Sequence, residues 1–222
     1  MNTVQICFNI SINYKHFIKK TNIMQNIKDN VHKKIIEAGR ELVRQKGVDM
    51  LTARKLSEAS GCSIGAIYNQ FGGMDDFIAE QNEITLFQLL KKLENAQYTS
   101  DSYKNLSLMA DVFADFVNSN RELWSLLYNF HLSRHGYKLS FNYKRLLCRL
   151  VSFAERDLKI LFPGLKGLGF RIMRDTFMLG LLSISSILTT DILEGMKNIS
   201  KDNLCKIFCN TFWSGISVLK KE

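Results

Sequence analysis

"SGCSIGAIYNQF", Ser60 to Phe71, is the stretch on which the reading of this chain turns. Ile64, Ile67 and Phe71 have the spacing of one helix face. Gly65 nevertheless stands in the first turn, where glycine costs about 0.5–1 kcal/mol relative to alanine. The stretch also holds no Lys, Arg, Asp or Glu. A solvated helix normally carries such charges, so this one is small and flat for another reason.

The neighbouring residues divide into helices. Ser63 is a helix cap, and Ser60-Gly61-Cys62 is a tight turn before it. Thr52 caps a preceding helix, Ala53 to Ala59, with Glu58 too far along to complete a capping box. Further back, Val31, Ile35, Ala38 and Leu42 form an apolar stripe widened by Ile36 and Val43. This gives an amphipathic helix from Asp29 that ends near Gly47. Gly72-Gly73 breaks the chain, and a long helix follows from about Asp75 towards Asn95.

Two short helices joined by a glycine-containing three-residue turn have helix-turn-helix spacing. In that motif the second helix enters the major groove of DNA, with its N-terminal residues at base edges. Gly65 and Ala66 would permit close approach, and Ile64 would touch a thymine methyl. Asn69 or Gln70 would offer adenine a paired donor and acceptor. Leu56, Ala59, Ile67 and Phe71 are the expected inward set. Spacing alone leaves a second reading open: a buried helical hairpin in which Gly65 only lets helices pack closely.

The 222 residues suffice for a sizeable core, and the net charge of +9 admits nucleic acid as a partner. The excess lies elsewhere than the opening stretch: residues 24–80 carry 8 basic and 8 acidic side chains. Five scattered cysteines without a Cys-x-x-Cys read as reduced thiols of a cytoplasmic protein. Cys205 with Cys209, and His131 with His135, share helix faces, but neither pair completes a metal ligand set, and no cofactor motif stands out. Residues 1–23 alternate apolar and polar from Val4 to Tyr14, without the continuous apolar core of a signal peptide. They read as a flexible or dispensable basic extension. The best apolar run, Thr176 to Thr190, is flanked by Arg174 and Asp191 and is short for a bilayer, so it reads as a buried helix and no membrane is expected as a partner.

Over the segment "EAGRELVRQKGVDMLTARKLSEASGCSIGAIYNQFGGMDDFIAEQ", Glu37 to Gln81, the sequence resembles the DNA-binding domain of TetR/AcrR-type transcriptional regulators. The most specific elements are Gly47, Thr52, Leu56 with Gly61, Ser63, Gly65, and Tyr68 with Phe71. The resemblance implies that Thr52 and Tyr68 bond phosphates through their hydroxyls. It sets Ile64, Gly65, Ala66 and Asn69 against the bases, with Gln70 at the groove edge and Ser63 capping the reading helix. Two departures lower the positive charge there. Met74 stands where the family usually has lysine, and Asn69-Gln70 replaces a frequent basic or histidine pair. Affinity is then left to Lys28, Lys33, Lys34, Arg54 and Lys55, or to the N-terminal arm.

Beyond this segment only helical periodicity guides the reading. Helices are expected at Ser102–Ser119, around Leu123–Leu132, at Phe141–Phe162, near Gly169–Ile192 and at Lys201–Lys220. Phe113, Phe116, Trp124, Tyr128, Phe153 and Phe177 are candidates for an apolar effector pocket, with plain core as the competing reading. Arg134, Lys138, Lys144, Arg145 and Arg149 would draw in an anionic ligand, unless they form only a solvated face. The family resemblance implies that the last two helices pair with their copies in a second subunit. Gly180, Ser183, Ser186, Gly215 and Ser217 would permit that approach.

The expectation is an all-α protein in three parts: an extension over 1–23, a three-helix helix-turn-helix DNA-binding domain over 24–73, and a larger helical effector-binding and dimerisation domain over 74–222. Its function would be that of a homodimeric, ligand-responsive repressor on a palindromic operator. The alternative is a helical ligand-binding or protein-interaction module that has lost operator binding. No nucleophile and base pair, metal set or phosphate loop marks an enzyme.

Overall fold

Caps and glycines set the helix ends, and apolar faces set what each helix buries. The computed structural model describes residues 30–134, 136–190 and 201–219. The 1–23 extension, Lys28 and His135 lie outside the described residues. Within them the order is α1 (Asn30–Lys46), a 3-10 turn (Val48–Met50), α2 (Ala53–Ser60), α3 (Ile64–Phe71), α4 (Met74–Glu94) and α5 (Ser102–Ser119). There follow α6 (Arg121–Ser133), α7 (Phe141–Leu161), α8 (Gly167–Thr189) and α9 (Lys201–Leu219). Among the described residues no strand occurs, and the fold is all-α.

Two compact units make up the chain: Met1–Thr85 with Ser125–Cys148, and Leu86–Trp124 with Arg149–Glu222. The expected boundary between residues 73 and 74 thus falls inside the first unit.

In the first unit α1 turns Ile35, Ile36, Leu42 and Val43 inward, and Leu56, Ile67 and Phe77 are fully buried. Each such side chain contributes about 1.5–3 kcal/mol. Gly39 faces the Phe77 ring so closely that a Cβ would enter it, which lets α1 and α4 approach. Arg40 is buried beside it. Its Nη1 donates to Gln81 O at 3.1 Å and Thr85 Oγ1 at 3.2 Å. Burial, helped by the charge of Arg44, lowers its pKa to about 10. The segment after α6 reaches α4 by side chains. Arg134 Nε donates to Asp75 Oδ1 at 2.8 Å, and Tyr137 Oη donates to Asp76 Oδ1 at 2.5 Å.

In the second unit α5 packs against both α8 and α9, which pack on each other. Leu106, Met109, Phe113 and Val117 of α5 meet a core that includes Phe177 and Leu181 of α8 and Phe212 of α9. A polar knot secures the chain before α5. Asn105 Oδ1 accepts from Thr99 N at 2.8 Å, and its Nδ2 donates to Asp157 Oδ1 at 2.9 Å. Asp157 is buried and also accepts from Arg156 Nη2 at 2.7 Å.

Helix α8 departs from the sequence reading. It runs 23 residues and is, among the described residues, the helix long and apolar enough to cross a membrane by length and composition. It is buried on one side only, through Phe170, Met173, Phe177, Leu181 and Ile184. Its other side exposes Leu168, Ile172, Leu182 and Leu179, the last 62% exposed. Periodicity cannot separate the two sides, because both are apolar.

Candidate nucleic-acid interface

Helix α3 is short and held at both ends. Ser63 caps it, its Oγ accepting from Ala66 N at 3.1 Å. The α2–α3 turn is fixed by Gly61, whose φ of 63° is left-handed and favours glycine. Ser57 Oγ donates to Cys62 O at 2.7 Å across the same turn. Ile67 and Phe71 anchor α3 inward on one face, joined by Leu56 of α2. Ala59 does not belong to this set, because it is exposed on the far side of α2. The ring of His32 from α1 stacks on Phe71 with centroids 4.6 Å apart.

The opposite face of α3 carries Ile64, Gly65, Tyr68, Asn69 and Gln70, all exposed, with Ala66 half-buried. Ile64 is 41% exposed and Tyr68 43%, although both are large and apolar-bodied. They lie one turn apart, and Gly65 and Asn69 lie beside them with the same spacing. Among the described residues a Cβ on Gly65 would have only Ser63 Oγ within reach, at 3.9 Å. Among the described residues no neighbouring helix occupies the space, so the close-packing explanation of this glycine finds no support there.

The cations expected nearby are differently disposed. Arg54 Nε lies 3.3 Å from Glu58 Oε1, and Lys55 Nζ lies 3.1 Å from Glu58 Oε2. The bond from Lys55 and its charge, then those of Arg54, hold the Glu58 carboxyl below the usual carboxylate range. Lys33 pairs with Glu37 at 3.7 Å. Lys34 sits by the turn, its Nζ 3.6 Å from where a Cβ on Gly61 would be. Thr52 is exposed at the start of α2, its Oγ1 accepting from Lys55 N at 3.3 Å. That bond leaves the hydroxyl proton available to an outside acceptor.

Ring contacts gather five of the six aromatic candidates into three groups within the second unit. Phe113 and Phe116 meet Trp124 edge-on, with centroids 5.1 Å and 6.5 Å away. The Trp124 Nε1 proton is buried without a hydrogen-bond partner among the described residues. Phe177 meets the rings of Phe208, Phe212 and Trp213 of α9. Phe153 stacks on Tyr98 at 6.3 Å. Tyr128 is half-buried in the first unit, whereas the other five lie in the second. Of the five expected basic residues, Arg134 pairs with Asp75 and Arg149 with Glu94, while Lys138 and Lys144 are exposed. Among the described residues no three His, Cys, Asp or Glu side chains form a metal site.

The sequence reading missed a cleft of about 430 Å³ between α5 and α9, bordered by Asp111, Asp115, Lys206 and the two cysteines of α9. The one-turn spacing of both the acidic and the cysteine pair was its available signal.

Residues 35–80 match the family model described as bacterial regulatory proteins, tetR family. No curated protein sequence matches the chain. Among solved structures, a protein with unknown function from a Rhodococcus species is similar at a TM-score of 0.67 and 16% identity, covering 86% of this chain and 96% of that one. FadR of Bacillus subtilis, a transcriptional regulator solved in complex with stearoyl-CoA, is similar at 0.64 and 15%, covering 83% and 98%. PfmR of Thermus thermophilus, a TetR family transcriptional regulator, is similar at 0.56 and 16%, covering 80% and 96%. At these identities the likeness is one of fold.

Proposed function

We propose that the chain, whose residues 35–80 match the model of the tetR family of bacterial regulatory proteins, is a ligand-responsive repressor that binds a palindromic operator as a homodimer. The carrying observation is the outer face of α3, where Ile64 and Gly65 are exposed and nothing among the described residues fills the space beside the glycine. An exposed isoleucine next to an exposed helical glycine stabilises nothing in the monomer, and both suit a helix that lies against base edges. Ile64, Gly65, Ala66 and Asn69 face the bases in this reading. Thr52, Tyr68 and the cation of Lys34 reach phosphates, with Ser63 fixing the helix start. Arg54 and Lys55 contribute only so far as they leave Glu58.

The apolar outer side of α8, with Ile207 on the exposed side of α9, supports pairing of two copies through the last two helices. A second copy removes from water a stripe that a lone chain leaves wet. The effector is a small apolar or amphipathic molecule taken up by the second unit. A long-chain acyl thioester is the first class to test, since FadR of Bacillus subtilis was solved with stearoyl-CoA. Release follows if the effector binds better to a dimer whose reading helices no longer match successive major grooves.

A shift assay on the DNA upstream of the chain's own gene tests the reading. The expected result is a retarded complex of dimer stoichiometry that stearoyl-CoA or a related anion dissociates. No retention on that DNA or on any member of a random pool would leave the alternative, a helical module without operator binding.

A further inference from the structure

Cys205 and Cys209 lie one turn apart on α9 and are 2% and 3% exposed. Both thiols turn towards α5. Cys205 Sγ donates to Ala110 O at 3.7 Å, and Cys209 is bonded to Ser107, one turn back along α5. The two thiols thus meet α5 one helical turn apart, and both cysteines border the cleft of about 430 Å³. Cys62 and Cys148 have no second cysteine within a helical turn in the sequence. The pair plays no part in the repressor reading above, and two thiols one turn apart beside the same cleft are more than two small core residues require.

We propose that Cys205 and Cys209 form a dithiol site for a neutral trivalent organoarsenical of the R–As=O type, entered through the α5–α9 cleft. Both thiols add to the one arsenic. Two As–S bonds replace the bonds from arsenic to oxygen, and the oxygen leaves as water with both thiol protons. Arsenic stays trivalent, and nothing is oxidised or reduced.

Three features favour this chemistry over other thiol reactions. Burial pushes the Cys209 thiol up to about 11, against the opposing bond from Ser107. Reagents that need a thiolate are thereby slowed at neutral pH, whereas an arsenoxide takes the thiol protons away as water. The cleft carries two carboxylates, Asp111 and Asp115, against one ammonium, Lys206, which disfavours anionic electrophiles. Finally, no three His, Cys, Asp or Glu side chains among the described residues, Asp111 and Asp115 included, form a metal site, which argues for a ligand that two sulfurs satisfy.

The test uses the full chain and phenylarsine oxide. Native mass spectrometry should show one adduct per chain that survives excess monothiol and is stripped by 2,3-dimercaptopropanol, the mark of two-point attachment. Cys205→Ser and Cys209→Ser should each weaken retention against monothiol by about 100-fold or more, as expected when a chelate becomes a single bond. Cys205→Ala and Cys209→Ala, checked for helix content by circular dichroism, guard against a fold lost through a buried hydroxyl. Cys62→Ser and Cys148→Ser should retain the adduct. Removal of the wild-type adduct by monothiol, or full retention in both single α9 variants, would overturn the proposal.

Discussion

Gly180 lies flat against the ring of Phe208: a Cβ at this position of α8 would fall within contact of three atoms of that ring. The glycine therefore serves the approach of α8 and α9 inside one chain. This corrects the expectation that it faces a second subunit. Gly215 is the opposite case, exposed on α9 with nothing among the described residues within 4 Å of an added Cβ. Ser217 belongs to a stretch whose side chains lie outside the described residues.

The two glycines should separate stability from association. Gly180→Ala should lower thermal stability by about 1–3 kcal/mol through overpacking. Gly215→Asp and Leu179→Asp should leave the melting transition of the monomer near that of the parent and convert dimers to monomers by light scattering. Dimers persisting in both aspartate variants would mean that α8 and α9 are not the interface.

Asn69 and Tyr68 should fail differently. Asn69→Ala should cost about 1–3 kcal/mol per half-site and relax preference at one base pair. Tyr68→Phe should weaken all sequences about equally, since it loses a phosphate bond. Because α3 lacks Arg and Lys, the usual route to guanine is missing, and half-sites should be rich in A·T pairs. Selection from a random oligonucleotide pool checks this, and a G·C-dominated consensus beneath Ile64 to Asn69 is the contrary outcome.

Glu58 should act as a brake on charge. It holds both Arg54 and Lys55. Glu58→Gln should leave them for phosphates, raise affinity for unrelated DNA, and steepen the salt dependence by about 0.9 log unit per added phosphate contact. An unchanged slope by fluorescence titration would show that α2 stays off the backbone.

His131 should give the fold a neutral-range pH dependence. Its Nε2 lies 2.8 Å from Tyr143 Oη, and burial pushes its pKa below the ordinary 6.5. A depressed histidine binds its proton more readily in the unfolded chain. Its contribution is present above the unfolded pKa and is lost as pH falls through the window below it. Glu80 and Glu83 are raised, mainly by burial, so they act in the opposite sense as pH falls through the acid range. The His131 term is isolated by difference: the melting temperature of the parent should fall more between pH 8 and pH 6 than that of His131→Gln.

The helix-turn-helix was legible because its determinants are local. Thr52 and Ser63 bond amides three residues on, Gly61 ends α2, and Ile67 and Phe71 repeat with the helix. Ala59 was misplaced because alanine suits either face of a helix. The aromatic residues of the second unit were harder to place. Periodicity sets Phe113 and Phe177 inward but does not say that one meets Trp124 and the other Phe208, since those partners are fixed by helix crossings. The same holds for Gly180, whose need appears only when Phe208 stands opposite. The pairing of Arg54 and Lys55 with Glu58 lies within one helix, and its spacing was on view from the start.

The bare space beside Gly65 has a consequence for motion. A helix of eight residues with glycine in its first turn has little intrinsic tendency to stay wound. The Ser63 cap and the two anchors Ile67 and Phe71 hold it. Amide hydrogens of α3 should therefore exchange with solvent through small local openings, faster than those of α1, whose inner face is lined by Ile35, Ile36, Leu42 and Val43. A bound surface that covers α3 would close those openings, so part of its affinity goes into ordering the helix, and the slowing of exchange on binding reads out that ordering residue by residue.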